Sequence, residues 1–203
     1  MFGLKGLTYF INGKLYLSLT NRCNASNSIT VRGPSFQWGK DFVQLPRSFE
    51  PSADMLSTAV HDAFKGGHIT NNDKETDELI TFAGYGEPLL CSEVLCVAAA
   101  HIKQTSPLYY TAKPISLRVK TNGLIAPDQC AELVNQLKLS GIDKVTLATY
   151  IYHTLSLDLR IITESITLVY QTTFHSLYSL LLFAVIRFLL VCSQTMNLST
   201  MRS

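Results

Sequence analysis

The last 53 residues contain no glycine, no proline and no lysine, whereas residues 1–150 hold all 11 glycines and all 7 prolines. Tight chain reversals rely on those two residue types, one for its access to positive φ and the other for its fixed φ. Charged residues thin out as well, from 27 of 150 to 5 of 53, and Leu, Ser and Thr make up 25 of the 53. The composition therefore breaks near residue 150 and divides the chain into 1–150 and 151–203. Also missing is any excess of one charge: 17 Lys and Arg face 15 Asp and Glu. A net charge of +2 with no basic run excludes an electrostatic nucleic-acid binder.

Cysteine is scarce and unpatterned. Cys23, Cys91, Cys96, Cys130 and Cys192 form an odd, scattered set. That argues against a disulfide framework and for a reducing compartment. No C-x2-C occurs, and His61, His68, His101, His153 and His175 lie far apart, so zinc-site spacing is absent. The opening MFGLKGLTYFINGKLYL is no signal peptide, because Lys5, Lys14 and Asn12-Gly13 interrupt its short apolar stretches. The expectation is a cytoplasmic protein, with one alternative. Leu177–Cys192 is an apolar run of 16 residues with Arg187 near its middle. A spanning helix needs about 20 apolar residues, and a central arginine is costly. Three readings of 151–203 stay open: a helical extension, a membrane anchor through 177–192, or sequence that is not native to the protein. The expectation for 151–203 is poorly specified helix, loosely attached to the body and not completing its sheet.

What is present in 1–150 is a rhythm of strands and helices. Asn12-Gly13 between two β-rich runs, within residues 8–20, marks a hairpin. A polar stretch, Asn21–Glu50, follows; loops of that length are functional or disordered. Leu56, Ala59, Val60, Ala63 and Phe64 recur at helical spacing, so a helix runs from Pro51–Asp54 to Phe64. A strand at Leu79–Ala83, a turn at Gly84–Pro88 and a helix from Leu89 to Lys103 come next. A strand at Ile115–Lys120, a helix from Pro127 to Leu139 and a strand at Lys144–Thr149 complete the body. This order predicts an α/β fold with a parallel sheet. Sites in such folds lie at the carboxyl ends of strands. Asn21–Asn24, Gly84–Pro88 and Thr121–Gly123 all fall there, which makes that rim the candidate site.

Four pieces carry a family resemblance: LYLSLTNRCN at the first strand of the parallel set, TFAGYGEPLL at the second, VKTNGLI at the third and LSGIDKVTLAT at the fourth. In that order the body resembles the radical SAM proteins, in particular those associated with TatD-type nucleases. The resemblance covers roughly residues 8–149. It implies a partial (β/α)6 barrel, of which four strands are visible, so the chain reads as truncated. It also implies an S-adenosylmethionine cofactor and a [4Fe–4S] cluster held by C-x3-C-x2-C after the first strand. Its substrate stays unassigned.

The sequence departs from the family at the cluster. With Cys23 as first ligand, Asn27 and Thr30 occupy the other two positions, and neither replaces a thiolate. Cys91 and Cys96, at i and i+5 on a helix, read as small packed hydrophobes. Gly84, Tyr85, Gly86, Glu87 and Pro88 correspond to the segment that receives the amino group of S-adenosylmethionine, and Asn122 to a pocket residue at the third strand end. Glycines permit close backbone approach and a carboxylate complements an ammonium. The plain alternative is a β–α turn with Pro88 opening the helix. Arg32-Gly33-Pro34, His61 and His68 read as solvated loop groups. The expectation is thus a radical-SAM-like protein that is catalytically impaired, or a binding protein that keeps the pocket without the cluster.

Overall fold

The computed structural model describes residues 4–25, 42–68, 80–106, 115–148 and 154–158. Six strands form one sheet: β1 (Thr8–Ile11), β2 (Lys14–Leu17), β3 (Ile80–Phe82), β4 (Leu117–Thr121), β5 (Lys144–Ala148) and β6 (Thr154–Asp158). They lie in chain order, β1-β2-β3-β4-β5-β6. The four central strands are parallel, and β1 and β6 flank them antiparallel. Three helices connect the parallel strands: α1 (Ala53–Lys65), α2 (Ser92–Thr105) and α3 (Pro127–Leu139). The fold is therefore mixed α/β, as the rhythm of the sequence predicts.

Local chemistry explains the element ends. Asn12 at φ 50° and Gly13 at φ 75° make the two-residue turn of the β1–β2 hairpin. Positive φ at both central positions is the type I′ geometry that matches strand twist. Ser52 caps α1, its hydroxyl accepting from Met55 N at 3.3 Å, and Asp54 follows in the first turn. Pro127 opens α3 from the first turn, where its missing N–H costs nothing. Pro88 instead opens a short 3-10 turn, Pro88–Cys91, and only then does α2 begin. The helix expected from Leu89 thus starts at Ser92, because the Glu87 side chain accepts from Leu89 N and tightens the entry.

Register divides the sheet into two unlike faces. Leu15, Leu17, Ile80, Phe82, Leu117, Val119, Val145 and Leu147 share one face and are buried. Leu56, Val60 and Ala63 of α1, Leu95, Ala98, Ala99 and Ile102 of α2, and Leu137 of α3 cover it. Burying a large aliphatic side chain stabilises by about 1.5–3 kcal/mol, so this layer supplies the main driving force. On the other face a smaller cluster, Tyr9, Phe42 and Tyr85, packs with Tyr16. Tyr9 and Tyr16 stack at 5.1 Å, and Tyr9 meets Phe42 edge-on at 4.9 Å.

One element of the segment after residue 150 lies within the described residues. β6 comes from the atypical segment, yet it extends the sheet: Val145 pairs with Leu157 and Leu147 with Leu155. Parallel strands need long crossovers, but an antiparallel neighbour needs only a short connection. The absence of Gly and Pro therefore speaks against parallel βα units and not against a returning strand. The alternation in Thr-Leu-Ser-Leu-Asp has period two and was the available signal. Among the described residues the four parallel strands and the hairpin strand β1 lie where the sequence predicts strands, and β6 is additional. The apolar run 177–192, with the anchor and helical-tail readings, lies outside the described residues. No helix among the described residues is long and apolar enough to cross a membrane.

At the amino ends of the parallel strands a half-buried ion pair ties three elements together. Asp143 Oδ2 accepts from Lys103 Nζ at 2.7 Å and from Leu117 N at 2.8 Å, and Lys103 Nζ also donates to Ile115 O at 2.6 Å. Neutralising the carboxylate leaves the ammonium without its counter-charge and weakens the acceptor of a strand N–H. Asp143→Asn is expected to lower unfolding free energy by about 1.5–3 kcal/mol in urea titrations. A chain ending at Ala148 is expected to unfold at lower urea than one ending at Asp158, because β6 then no longer covers the β5 edge; equal midpoints would show that β6 contributes nothing.

Candidate functional site

Three connections leave the carboxyl ends of β2, β3 and β4 and converge on one rim. The turn after β3 is stitched to the segment after β2 by backbone alone: Gly86 N donates to Thr20 O at 3.1 Å and Glu87 N to Arg22 O at 2.7 Å. A β carbon at Gly86 would collide with the Thr20 and Arg22 carbonyl oxygens, so only glycine fits that crossing.

Glu87 joins this turn to the end of β4. It is 4% exposed, and its carboxylate takes three hydrogen bonds. Oε1 accepts from Thr121 Oγ1 at 2.7 Å and from Leu89 N at 3.0 Å; Oε2 accepts from Asn122 N at 2.8 Å. A carboxylate offers about four acceptor sites, so one is left on Oε2.

Asn122 links β4 back to the segment after β2. Its Nδ2 donates to Asn24 Oδ1 at 2.8 Å and approaches Cys23 Sγ at 3.6 Å, and its Oδ1 accepts from Leu124 N at 2.8 Å. Asn24 Nδ2 in turn donates to Leu124 O at 2.6 Å. Cys23, Asn24, Glu87 and Asn122 are thus brought together. Beside them a cleft of about 470 Å³ opens between the 3-10 turn and α3. Glu87, Asn24, Asn122, Leu90, Glu132 and Gln129 line it. That volume lies in the range of small-molecule sites, roughly 300–1,000 Å³.

The remaining sequence-predicted residues build the turn rather than the cleft wall. Gly84 lies against Ser18, Tyr85 is buried with Tyr9 and Phe42, and Pro88 opens the 3-10 turn. Asn24 and the α3 residues Gln129 and Glu132 were not singled out from the sequence. Asn24 lies inside the rim segment Asn21–Asn24, whereas polar residues on a helix flank carry no signal of their own.

A second polar group closes the outer side of the rim. The Arg22 guanidinium holds Glu50 in a fork, Nε to Oε1 at 2.6 Å and Nη2 to Oε2 at 3.1 Å, and Thr20 Oγ1 donates to Glu50 Oε1 at 2.7 Å. These hydrogen bonds, Arg22 first and Thr20 second, hold the Glu50 carboxyl below its ordinary pKa. Arg22 Nη2 also approaches Cys91 Sγ at 3.9 Å. Burial foremost, and then the charge of Glu50, push the Cys91 thiol up. Cys91 is therefore kept as a thiol, unsuited to nucleophilic work.

The donor set for an iron–sulfur cluster does not fit. Three thiolates are needed, and Cys23 meets an asparagine amide instead of a second cysteine. Among the described residues no three His, Cys, Asp or Glu groups are arranged to hold a metal ion. Positions 27 and 30 lie outside the described residues and are Asn and Thr in the sequence.

No family model, curated protein or solved structure matches the chain.

Two outcomes test this geometry. Gly86→Ala is expected to cost about 1–3 kcal/mol of stability by urea unfolding, since two carbonyls must move. Because the folded pKa of Glu50 is depressed, the stability it contributes is present above the unfolded carboxylate value and is lost as pH falls through the folded one. A carbon-detected NMR titration should give Glu50 a midpoint below that of glutamate in the unfolded chain. A midpoint at or above that value would remove the Arg22–Glu50 fork from solution.

Proposed function

We propose that the chain is a radical-SAM-like protein with a partial-barrel arrangement that keeps an S-adenosylmethionine-type pocket at the carboxyl ends of its strands and does not assemble the cluster. It acts as a binding protein for that ligand class. The observation that carries the reading is Glu87: a buried carboxylate on the cleft wall with three internal hydrogen bonds and one acceptor site to spare. A carboxylate held so firmly, with no side-chain cation among its hydrogen-bond donors, suits a ligand ammonium. Asn24 and Asn122 add amide groups for a ribose or a carboxylate, and Leu90 with Leu89 gives an apolar wall for a flat base. The resemblance of residues 8–149 to the radical SAM proteins supports the same ligand.

No step through an iron–sulfur cluster follows from these residues, because the thiolates are lacking. A protein with this site binds and presents S-adenosylmethionine without cleaving it.

Isothermal titration of the purified chain with S-adenosylmethionine is expected to show one-site binding without added iron. Asn122→Ala should weaken it about fivefold, the worth of one neutral hydrogen bond, about 1 kcal/mol. Absence of binding at millimolar ligand would overturn the pocket. Anaerobic reconstitution with iron and sulfide should leave far less iron than a full cluster. A full complement that disappears in Cys23→Ala would restore the enzyme reading instead.

A further inference from the structure

The α3 side of the cleft carries polar groups to which the binding of an ammonium by Glu87 gives no role. Gln129, Glu132, Leu133 and Gln136 line the cleft at i, i+3, i+4 and i+7, a single stripe of the helix. Glu132 is exposed. Its Oε1 accepts from Gln136 Nε2 at 3.1 Å, which steadies the carboxylate and leaves Oε2 for a ligand. Three and four residues away along the helix stand Asp128, Gln129, Asn135 and Gln136. No cation therefore occupies the positions from which a helix usually neutralises a glutamate.

The cleft thus holds two carboxylates, Glu87 and Glu132, and none of its described lining residues is Lys, Arg or His. Among the described residues neither carboxylate takes part in an ion pair. Leu89, Ile125 and Leu133 give the same cavity apolar walls, beside which a charge acts more strongly than in open water. Such a cleft favours a ligand with more positive than negative charge. S-adenosylmethionine meets that condition, with an ammonium and a sulfonium against one carboxylate. S-adenosylhomocysteine, the same molecule without the sulfonium methyl, carries no net charge. A sulfonium has no hydrogen to donate, so an anionic group reads it by charge alone. Glu87 faces the ammonium, which both molecules share, and cannot tell them apart. The carboxylate left to do so is Glu132.

We infer that Glu132 is a specificity-determining residue of the cleft: its carboxylate reads the positive sulfonium and selects S-adenosylmethionine over its thioether counterpart. The inference rests on the reading of the cleft as an S-adenosylmethionine-type pocket, and adds to it the group that discriminates. Because Glu132 is exposed, its contribution acts through charge and is screened by salt.

Isothermal titration of the full chain compares S-adenosylmethionine, S-adenosylhomocysteine and sinefungin, in which an amine-bearing carbon replaces the sulfonium. At low ionic strength the two cationic ligands are each expected to bind about fivefold more tightly than the thioether, the upper range for one exposed ion pair. That ratio should shrink as sodium chloride rises. Glu132→Gln should bring it below about twofold. Glu132→Asp, which keeps the charge on a shorter arm, should fall between, a rescue that a merely structural role would not show. Asp128→Asn, which removes an exposed acid of α3 outside the cleft, should keep the wild-type ratio. Equal affinities for the three ligands in the wild-type chain, a ratio indifferent to salt, or an unchanged ratio in Glu132→Gln each overturn the inference and leave the pocket standing. If none of the three binds at millimolar concentration, the pocket reading falls and this inference falls with it.

Discussion

The Glu87 carboxylate is the interaction on which the rim depends. It comes from the turn after β3 and holds the side chain of Thr121 and the main chain of Asn122 at the end of β4, while its own N–H is held by the Arg22 carbonyl after β2. One residue thus fixes three strand connections relative to one another. A glutamine could not satisfy the same three donors, because its amide nitrogen donates and only its single oxygen accepts. The cleft exists because those connections are locked, and its wall is the same carboxylate.

The helix-covered face is apolar up to Thr121 at the rim and so could be read from the sequence. Leu56, Val60 and Ala63 recur at helical spacing, and the short runs around Ile80 and Val119 carry apolar residues where β strands bury them. Asn12-Gly13 fixed the hairpin through its turn chemistry, and Pro127 the start of α3. The rim could be located because strand ends followed from strand positions. Its contents were less visible. The Arg22–Glu50 fork joins residues 28 apart, and Asn24 reaches Leu124 across 100 residues, separations at which sequence spacing carries no geometric information. β6 was less legible because the compositional break sets 151–203 apart from the body, although an antiparallel return needs only a short connection.

The two sheet faces also divide the labour. One buries leucine, isoleucine and valine against α1, α2 and α3, and that layer accounts for folding. The other pairs a tyrosine–phenylalanine cluster at the β1–β2 end with cationic positions toward β4 and β5. Strands covered by helices on both sides read as continuous apolar runs, whereas these alternate. The Arg118 and Lys120 positions in Leu-Arg-Val-Lys-Thr are the clearest case.

The order of the strands has a consequence for how the chain assembles. β1 and β2 meet through a two-residue turn, but Leu15 must find Ile80, a longer span than separates Ile80 from Leu117 or Arg118 from Lys144. Closing a loop costs entropy that grows with its length, and pairings distant in sequence are slow. The hairpin is therefore expected to form early and alone, the β3–β4–β5 layer to form around α2 and α3, and the two to join last through β2 and β3. Pulse-labelling hydrogen exchange reads that sequence directly, as late protection of the Leu15 and Leu17 amides relative to those of β4. On this scheme the rim is the final part of the molecule to take shape, since Gly86 and Glu87 cannot meet Thr20 and Arg22 until that last joining is made.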